Sequence, residues 1–91
     1  MANSKSAIKR NRQNEKRRVH NRYYRGRART FIKRARAAID EGNLETARER
    51  TIEAIGALDK AAAKGIIHEN NAARRKSRLM RDLNTLAESK A

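Results

Sequence analysis

The 91-residue sequence contains no cysteine and no proline, only three aromatic residues, and a single acidic residue before position 40. Without cysteine the chain forms no disulfide, which is typical of proteins in a reducing compartment. Without proline, the sequence lacks the residue that most strongly interrupts a helix. No apolar run approaches the roughly 20 residues that a transmembrane helix needs, and the N-terminal residues lack the apolar stretch of a secretory signal peptide.

Positive charge is what the chain has in excess. It carries 24 Lys and Arg against 10 Asp and Glu, a formal net charge of +14. Residues 1–39 hold 14 of these cations and a single acidic residue, Glu15. Residues 40–65 hold 4 cations and 6 anions, and residues 66–91 hold 6 and 3. Self-repulsion of this size opposes compaction of the free chain, so the composition indicates a polyanionic partner.

Helix-forming residues dominate, and the sequence predicts an all-α fold. Gly42, followed by the potential N-cap residue Asn43, ends one apolar-periodic segment, and Gly65 ends the next. The predicted helices span residues 5–40, 44–64 and 69–88. Because each helix carries one apolar stripe and the connections are short, we expect an antiparallel three-helix bundle.

The apolar stripes follow steps of three and four residues. The first consists of Tyr24, Ala28, Phe31, Ala35 and Ala38; the second of Leu44, Ala47, Thr51, Ile55, Leu58 and Ala62; the third of Ala72, Leu79, Leu83 and Leu86. The first stripe begins only near Tyr24, although the first helix would be roughly 54 Å long. We therefore predict a single domain, 1–91, in which residues 1–20 form a basic extended arm and residues 21–88 form the bundle.

The cations of the first helix recur at helical spacing on several sides. One stripe is Arg18, Arg22, Arg25, Arg29, Lys33 and Arg36, with steps of 4, 3, 4, 4 and 3; another is Lys5, Lys9, Arg12 and Lys16, and Arg10 and Arg17 lie on a third side. In the third helix, Arg74, Arg78 and Arg81 lie opposite the apolar stripe. A helix that is cationic almost all round has no face to bury against protein, and a phosphate backbone supplies the missing negative charge.

A basic run is usually a solvated face or a disordered tail. Here the helical period, the near absence of acidic residues and the second basic face favour RNA binding instead. The predicted RNA-binding residues are Lys5, Lys9, Arg10, Arg12, Lys16, Arg17, Arg18, His20, Arg22, Arg25, Arg29, Lys33, Arg36, Arg74, Arg75, Lys76, Arg78 and Arg81.

The sequence offers no pattern for catalysis, a metal or a cofactor. His20 and His68 lack the spacing of metal ligands, and there is no glycine-rich phosphate loop. We assign His20 to the phosphate-facing surface and His68 to a cap or turn before the third helix. Tyr24 and Phe31 lie on the core stripe, which leaves little for base stacking. We therefore expect recognition of backbone and shape rather than of base sequence.

Short motifs along the whole chain match one known family. They are Met1-Ala2-Asn3, Lys5-Ser6, Lys9-Arg10, Glu15-Lys16-Arg17-Arg18 and Asn21 at the start; Arg29-Thr30-Phe31-Ile32-Lys33, Ala38-Ile39 and Gly42 in the centre; and Lys64-Gly65, Ile67-His68, Asn70, Ala72-Ala73-Arg74, Lys76 and Ser77 near the end. Together, in this order, they resemble the bacterial-type small-subunit ribosomal protein family numbered twenty. Ser4, Tyr23, Tyr24 and Gly26 depart from the family pattern.

The resemblance implies a three-helix bundle that binds early to small-subunit rRNA at the base of the subunit body. It implies contacts with the 5′ domain and the long penultimate helix of that RNA, and a place beside other small-subunit components as a monomer. It also implies a structural role without enzymatic activity, in the ribosome of the bacterial cytosol, with a plastid ribosome as the alternative.

Other functions fit parts of the pattern. A nucleoid or histone-like DNA architectural protein would share the size and charge, but such proteins usually carry apolar wedges or a dimerisation surface, which we do not find. A membrane-active helix needs more apolar surface than the arm offers. An organelle transit peptide shares the Arg-rich start, but here the basic register continues into the predicted bundle.

Overall fold

The computed structural model describes residues 5–90 and contains, within that range, three α-helices and no β-strand. The helices are α1 (Lys5–Glu41), α2 (Leu44–Ala63) and α3 (Glu69–Ser89). The predicted all-α helical bundle is therefore confirmed, and each predicted helix boundary lies within one residue of the observed one. Residues 1–4, which belong to the predicted arm, and residue 91 lie outside the described residues.

The two interhelical connections are built by the residues that the sequence indicated. Gly42 and Gly65 adopt left-handed φ values of 78° and 72°, which side chains other than glycine rarely tolerate. Asn43 caps α2, since its side chain accepts a hydrogen bond of 3.2 Å from the Thr46 backbone amide. His68 caps α3, since its Nδ1 accepts a hydrogen bond of 3.1 Å from the Asn70 amide. The predicted capping role of His68 is thus confirmed.

Small side chains form most of the core. One cluster joins Ala28 and Ala35 of α1 to Ala54, Ala57 and Leu58 of α2 and to Ala72 and Leu79 of α3. A second cluster joins Ala38, Ala47 and Leu83. From the first cluster to the second, residue numbers rise in α1 and α3 and fall in α2. The central helix α2 is therefore antiparallel to both of its neighbours.

The buried surface of α2 is wider than its predicted stripe. Ala54, Ala57 and Ala61 are buried although the stripe omits them, whereas Ile55 and Ala62, which it includes, are only half-buried. The reason is that α2 packs against α1 on one side and α3 on the other, so it buries two faces. Thr51 is fully buried as expected, and its hydroxyl lacks a hydrogen-bond partner within the described residues.

The N-terminal part of α1 has no such neighbours. Every residue from 8 to 23 is exposed, and the first buried residue of α1 is Ala28. At about 1.5 Å per residue the 37-residue helix is roughly 55 Å long, and the described chain extends over 66 × 21 × 16 Å. The division into an arm of residues 1–20 and a bundle of residues 21–88 stays a prediction, consistent with this exposure.

Candidate nucleic-acid interface

The arm presents its cations to solvent on all sides. The predicted RNA-binding residues of the arm are all exposed, as is Arg22 just beyond it: Lys5, Lys9, Arg10, Arg12, Lys16, Arg17, Arg18, His20 and Arg22. In the described part of the arm the only ion pair joins Arg18 and Glu15 at 3.7 Å, with side chains 71% and 65% exposed. Because both side chains are so exposed, this ion pair contributes little to stability, and the positive charge of the arm is almost uncompensated.

A shallow groove of about 560 Å³ follows the arginine stripe along one side of α1. Arg18, Arg22, Arg25 and Arg29 line it together with Arg17, Asn14, Asn21 and Gly26. The two asparagines were not among the predicted residues, although the steps from Asn14 to Arg18, Asn21 and Arg25 are 4, 3 and 4. Amide side chains among guanidinium groups add neutral donors and acceptors for phosphate and ribose oxygens.

An aromatic cluster lies where the arm joins the bundle. The Tyr24 ring contacts His20 edge-on at a centroid distance of 4.7 Å and Tyr23 at 5.0 Å. The Lys64 ammonium, from the end of α2, lies 5.1 Å from the Tyr24 ring centroid. Tyr24 therefore links the base of the arm to the α2–α3 connection, and His20 packs against it while remaining exposed.

Further along α1, the predicted cations Arg25, Arg29, Lys33 and Arg36 are also exposed. Two other arginines, absent from the predicted set, lie over Phe31. The guanidinium carbons of Arg27 and Arg34 are 5.0 and 5.5 Å from its ring centroid. Phe31 itself is half-buried against the core, which confirms its core assignment. The 4- and 3-residue steps around Phe31 are the sequence signal for this stacking.

The basic surface of α3 contains exposed and paired cations. Arg74, Arg75, Arg78 and Arg81 are exposed. Lys76 is different, because its Nζ donates to Asp59 Oδ1 of α2 at 2.7 Å and its side chain is 35% exposed. The Lys76–Asp59 pair ties α3 to α2. Of the predicted α3 residues, the four arginines thus offer charge without an acidic neighbour within 4.0 Å in the described chain.

The surfaces of α1 and α3 meet at one cavity of about 380 Å³. Arg25, Arg29 and Arg75 line it with His68 and Asn71, above apolar atoms of Ala28, Leu58, Ile66 and Ile67. Arg25 Nη2 also donates to the Ile66 carbonyl at 3.2 Å, so its guanidinium is held at the edge of the cavity. No periodicity in the sequence indicates this site, because its residues come from α1, the α2–α3 connection and α3.

The outward side of α2 has the opposite charge. Glu45, Glu49 and Glu53 are exposed there, and Ile52 beside them is 70% exposed. Cations thus dominate α1 and α3, whereas the exposed part of α2 carries carboxylates together with Arg48 and the Arg50–Glu53 pair. A polyanion approaching the molecule is attracted to α1 and α3 more strongly than to α2.

Among residues 5–90, no group of three or more His, Asp or Glu side chains could hold a metal ion. Within the same range, no helix combines the length and apolarity needed to cross a membrane.

The chain matches a family model described as ribosomal protein S20 over residues 2–84. It is 53% identical over 90 residues to the small ribosomal subunit protein bS20 of Thermomicrobium roseum, covering 99% of this chain and 91% of that protein. The bS20 proteins of Geobacter sulfurreducens and Geobacillus kaustophilus are 49% and 51% identical, over 94% and 98% of this chain and 99% and 100% of their own lengths. The motifs quoted from the sequence, the helical bundle and these matches agree, and the chain belongs to the ribosomal protein S20 family.

Proposed function

We propose that this chain is a structural constituent of the small ribosomal subunit, where it binds small-subunit rRNA directly and stabilises its folding and assembly. The relatives named above are small ribosomal subunit proteins of bacteria, which supports this role and a place in the ribosome of the bacterial cytosol. The observation that carries the proposal is the continuous exposed cationic surface of α1 from residue 8 to residue 23. The role is that of a binding protein without catalysis or cofactor.

The mechanism is charge neutralisation by a body of defined shape. RNA strands that approach each other repel, and a cationic rod between them lowers this cost while it releases condensed counterions. A flexible polycation would also neutralise charge, but a helix continuous with a bundle also sets direction and spacing. Arginine predominates on the long stripe, and its planar fork suits two-point contacts with phosphate oxygens.

The RNA elements proposed are the 5′ domain and the long penultimate helix, on the basis of the family resemblance. Two basic surfaces, one on α1 and one on α3, give a single monomeric protein the means to contact two elements at once. The acidic exposed side of α2 then faces solvent or other small-subunit components.

A salt series tests the proposal directly. If about 8 to 12 phosphates are neutralised, log affinity for small-subunit rRNA should fall against log salt with a slope of about −6 to −11. A slope near −2 would remove the arm from the mechanism. Sucrose-gradient sedimentation is the companion measurement, and co-purification with DNA instead of the small subunit would favour a DNA architectural protein.

Changes to the RNA separate shape from sequence readout. We expect base substitutions that preserve RNA structure to change affinity little, because few side chains of the proposed interface can reach base edges in an A-form helix. Substitutions that unfold the target helices should abolish binding. Loss of binding from a structure-preserving substitution would contradict backbone-dominated recognition.

A further inference from the structure

We infer that the cavity between α1 and α3 is a clamp for one phosphodiester group of the bound RNA, held jointly by Arg29 and Arg75 with Arg25 at its edge. This inference rests on the proposed function and identifies a point at which the two basic surfaces act as one. Three features of the cavity support it. Cations from two helices converge there, no carboxylate of the described residues pairs with them, and the Arg25 guanidinium is held by a backbone hydrogen bond.

The cations converge from separate elements onto one concave site. Arg25 and Arg29 lie one turn apart on α1, and Arg75 reaches the same cavity from α3. His68 and Asn71 complete the polar part of the lining. The cavity volume of about 380 Å³ leaves room for a phosphate group with its flanking ester oxygens. A concave site of this kind brings several donors to one anion, whereas a single helix face offers them side by side.

No carboxylate within residues 5–90 pairs with these three arginines. Within residues 5–90 the ion pairs join Glu15 to Arg18, Glu53 to Arg50 and Asp59 to Lys76, and none of them involves the three arginines of the cavity. Apolar atoms of Ala28, Leu58, Ile66 and Ile67 lie beneath the cations and reduce local screening. Like charges gathered over such a surface repel one another, and an anion that enters the site relieves the repulsion.

The backbone of the α2–α3 connection positions one of the three cations. Arg25 Nη2 donates to the carbonyl of Ile66, a residue that is 7% exposed. This bond uses one of the five guanidinium N–H donors and orients the rest of the planar group. Less side-chain freedom is then lost when phosphate binds, so the site is partly preorganised.

A double-mutant cycle in RNA binding tests the clamp. Arg29→Ala and Arg75→Ala should each weaken binding to full-length small-subunit rRNA about tenfold, since each removes a charge-assisted contact to the same phosphate. The double variant should lose only about 10- to 20-fold, rather than the hundredfold expected of independent sites. The slope of log affinity against log salt should fall by about one in the single variants and in the double variant alike.

Arg22→Ala and Arg78→Ala are the matched controls. They remove the same charge from the same two helices at positions that do not line the cavity. Their separate losses should multiply within about a factor of two. All variants should keep the helicity and melting temperature of the free protein, because neither cavity cation tested has an ion-pair partner in the described chain.

Ethylation interference on the RNA gives the second readout. Modification of one phosphate should block binding of the wild-type chain and have no further effect on Arg29→Ala or Arg75→Ala. If the losses of these two variants multiply as the controls do, or if they respond to different phosphates, the clamp is overturned while the proposed function stands. If the wild-type chain itself does not bind small-subunit rRNA, the proposed function and the clamp fall together.

Discussion

The two halves of α1 form one continuous helix but have different surroundings. Between Ala28 and Ala38 the helix packs against α2 and α3, and three of its alanines are buried. From residue 8 to residue 23 every side chain is exposed. Helices in proteins owe most of their stability to packing of an apolar face. The second half of α1 is therefore stabilised by packing within the protein, whereas the first half has no such packing, and we expect its stability to depend on bound RNA.

Deleting residues 1–18 should have the largest effect on rRNA affinity. It removes 7 cations and 1 anion but no core residue. At roughly 0.7 kcal/mol for each phosphate contact, rRNA affinity should fall by about three orders of magnitude. Circular dichroism of the remaining chain should show that the bundle keeps its helicity and cooperative melting.

The control for this deletion keeps its cations. Replacing Asn11 and Gln13 by alanine leaves the charge of the arm unchanged and should alter affinity much less, because neither side chain lines the basic groove. If this double variant loses as much affinity as the deletion, charge is not what the arm contributes.

Amide exchange compares the same two segments in the free protein. Like charges four residues apart, such as Lys5 with Lys9 and Arg18 with Arg22, destabilise an isolated helix by about 0.2–0.5 kcal/mol per pair. We expect amides of residues 5–18 to exchange at least about a hundredfold faster than those of the core helices. Addition of rRNA should slow exchange in the arm selectively. Strong protection of the arm amides at low salt without RNA would show that the arm is a stable helix on its own and would contradict its dependence on RNA.

Replacing Arg74, Arg78 and Arg81 by alanine should have an intermediate effect. Three lost contacts at roughly 0.7 kcal/mol each correspond to about a 30-fold loss of affinity. Chemical footprinting should show lost protection at nucleotides other than those affected by deletion of residues 1–18. Combining both changes should give nearly additive free energies, because neither set of cations lines the cavity and we expect the two surfaces to contact different parts of the RNA. Loss of protection at the same nucleotides would contradict two separate RNA contacts.

The smallest effect is expected on the exposed side of α2. Ile52 is 70% exposed on the helix that carries the acidic surface. Ile52→Ala should change the free energy of unfolding by less than about 0.5 kcal/mol and leave rRNA affinity within twofold. Leu79→Ala is the contrasting variant, since Leu79 is fully buried and its truncation should cost about 2–5 kcal/mol. A clear loss of rRNA affinity in Ile52→Ala would bring this side of α2 into the interface.

Local signals explain which parts of the fold could be predicted. Glycines with left-handed φ and cap residues act on the backbone within a few residues, so Gly42, Asn43, Gly65 and His68 located the helix ends. The packing of α2 was harder to predict. A single stripe describes a helix with one neighbour, but α2 packs against both α1 and α3, so Ala54 and Ala61 outside the stripe are buried as well.

The candidate site also has a part that the sequence could predict and a part that only the packed helices show. The exposed cations of the arm follow from helical periodicity, because no other element competes for their surface. The cavity lined by Arg29, Asn71 and Arg75 could not be predicted, since its residues meet only through the packing of α1 and α3. Neither could the pairing of Lys76 with Asp59, which lies 17 residues away in sequence.

The alanine-rich core also sets a dimension. Eight of the twelve buried apolar residues in the described part of the chain are alanine, and small side chains let helix axes approach each other closely. The described chain is accordingly only 16 Å across its thinnest direction, measured between Cα positions. If RNA segments contact opposite sides of the bundle, this backbone thickness and the surface side chains together set the distance between them. Substituting larger residues for the core alanines would then change the distance between these RNA segments as well as the stability of the protein.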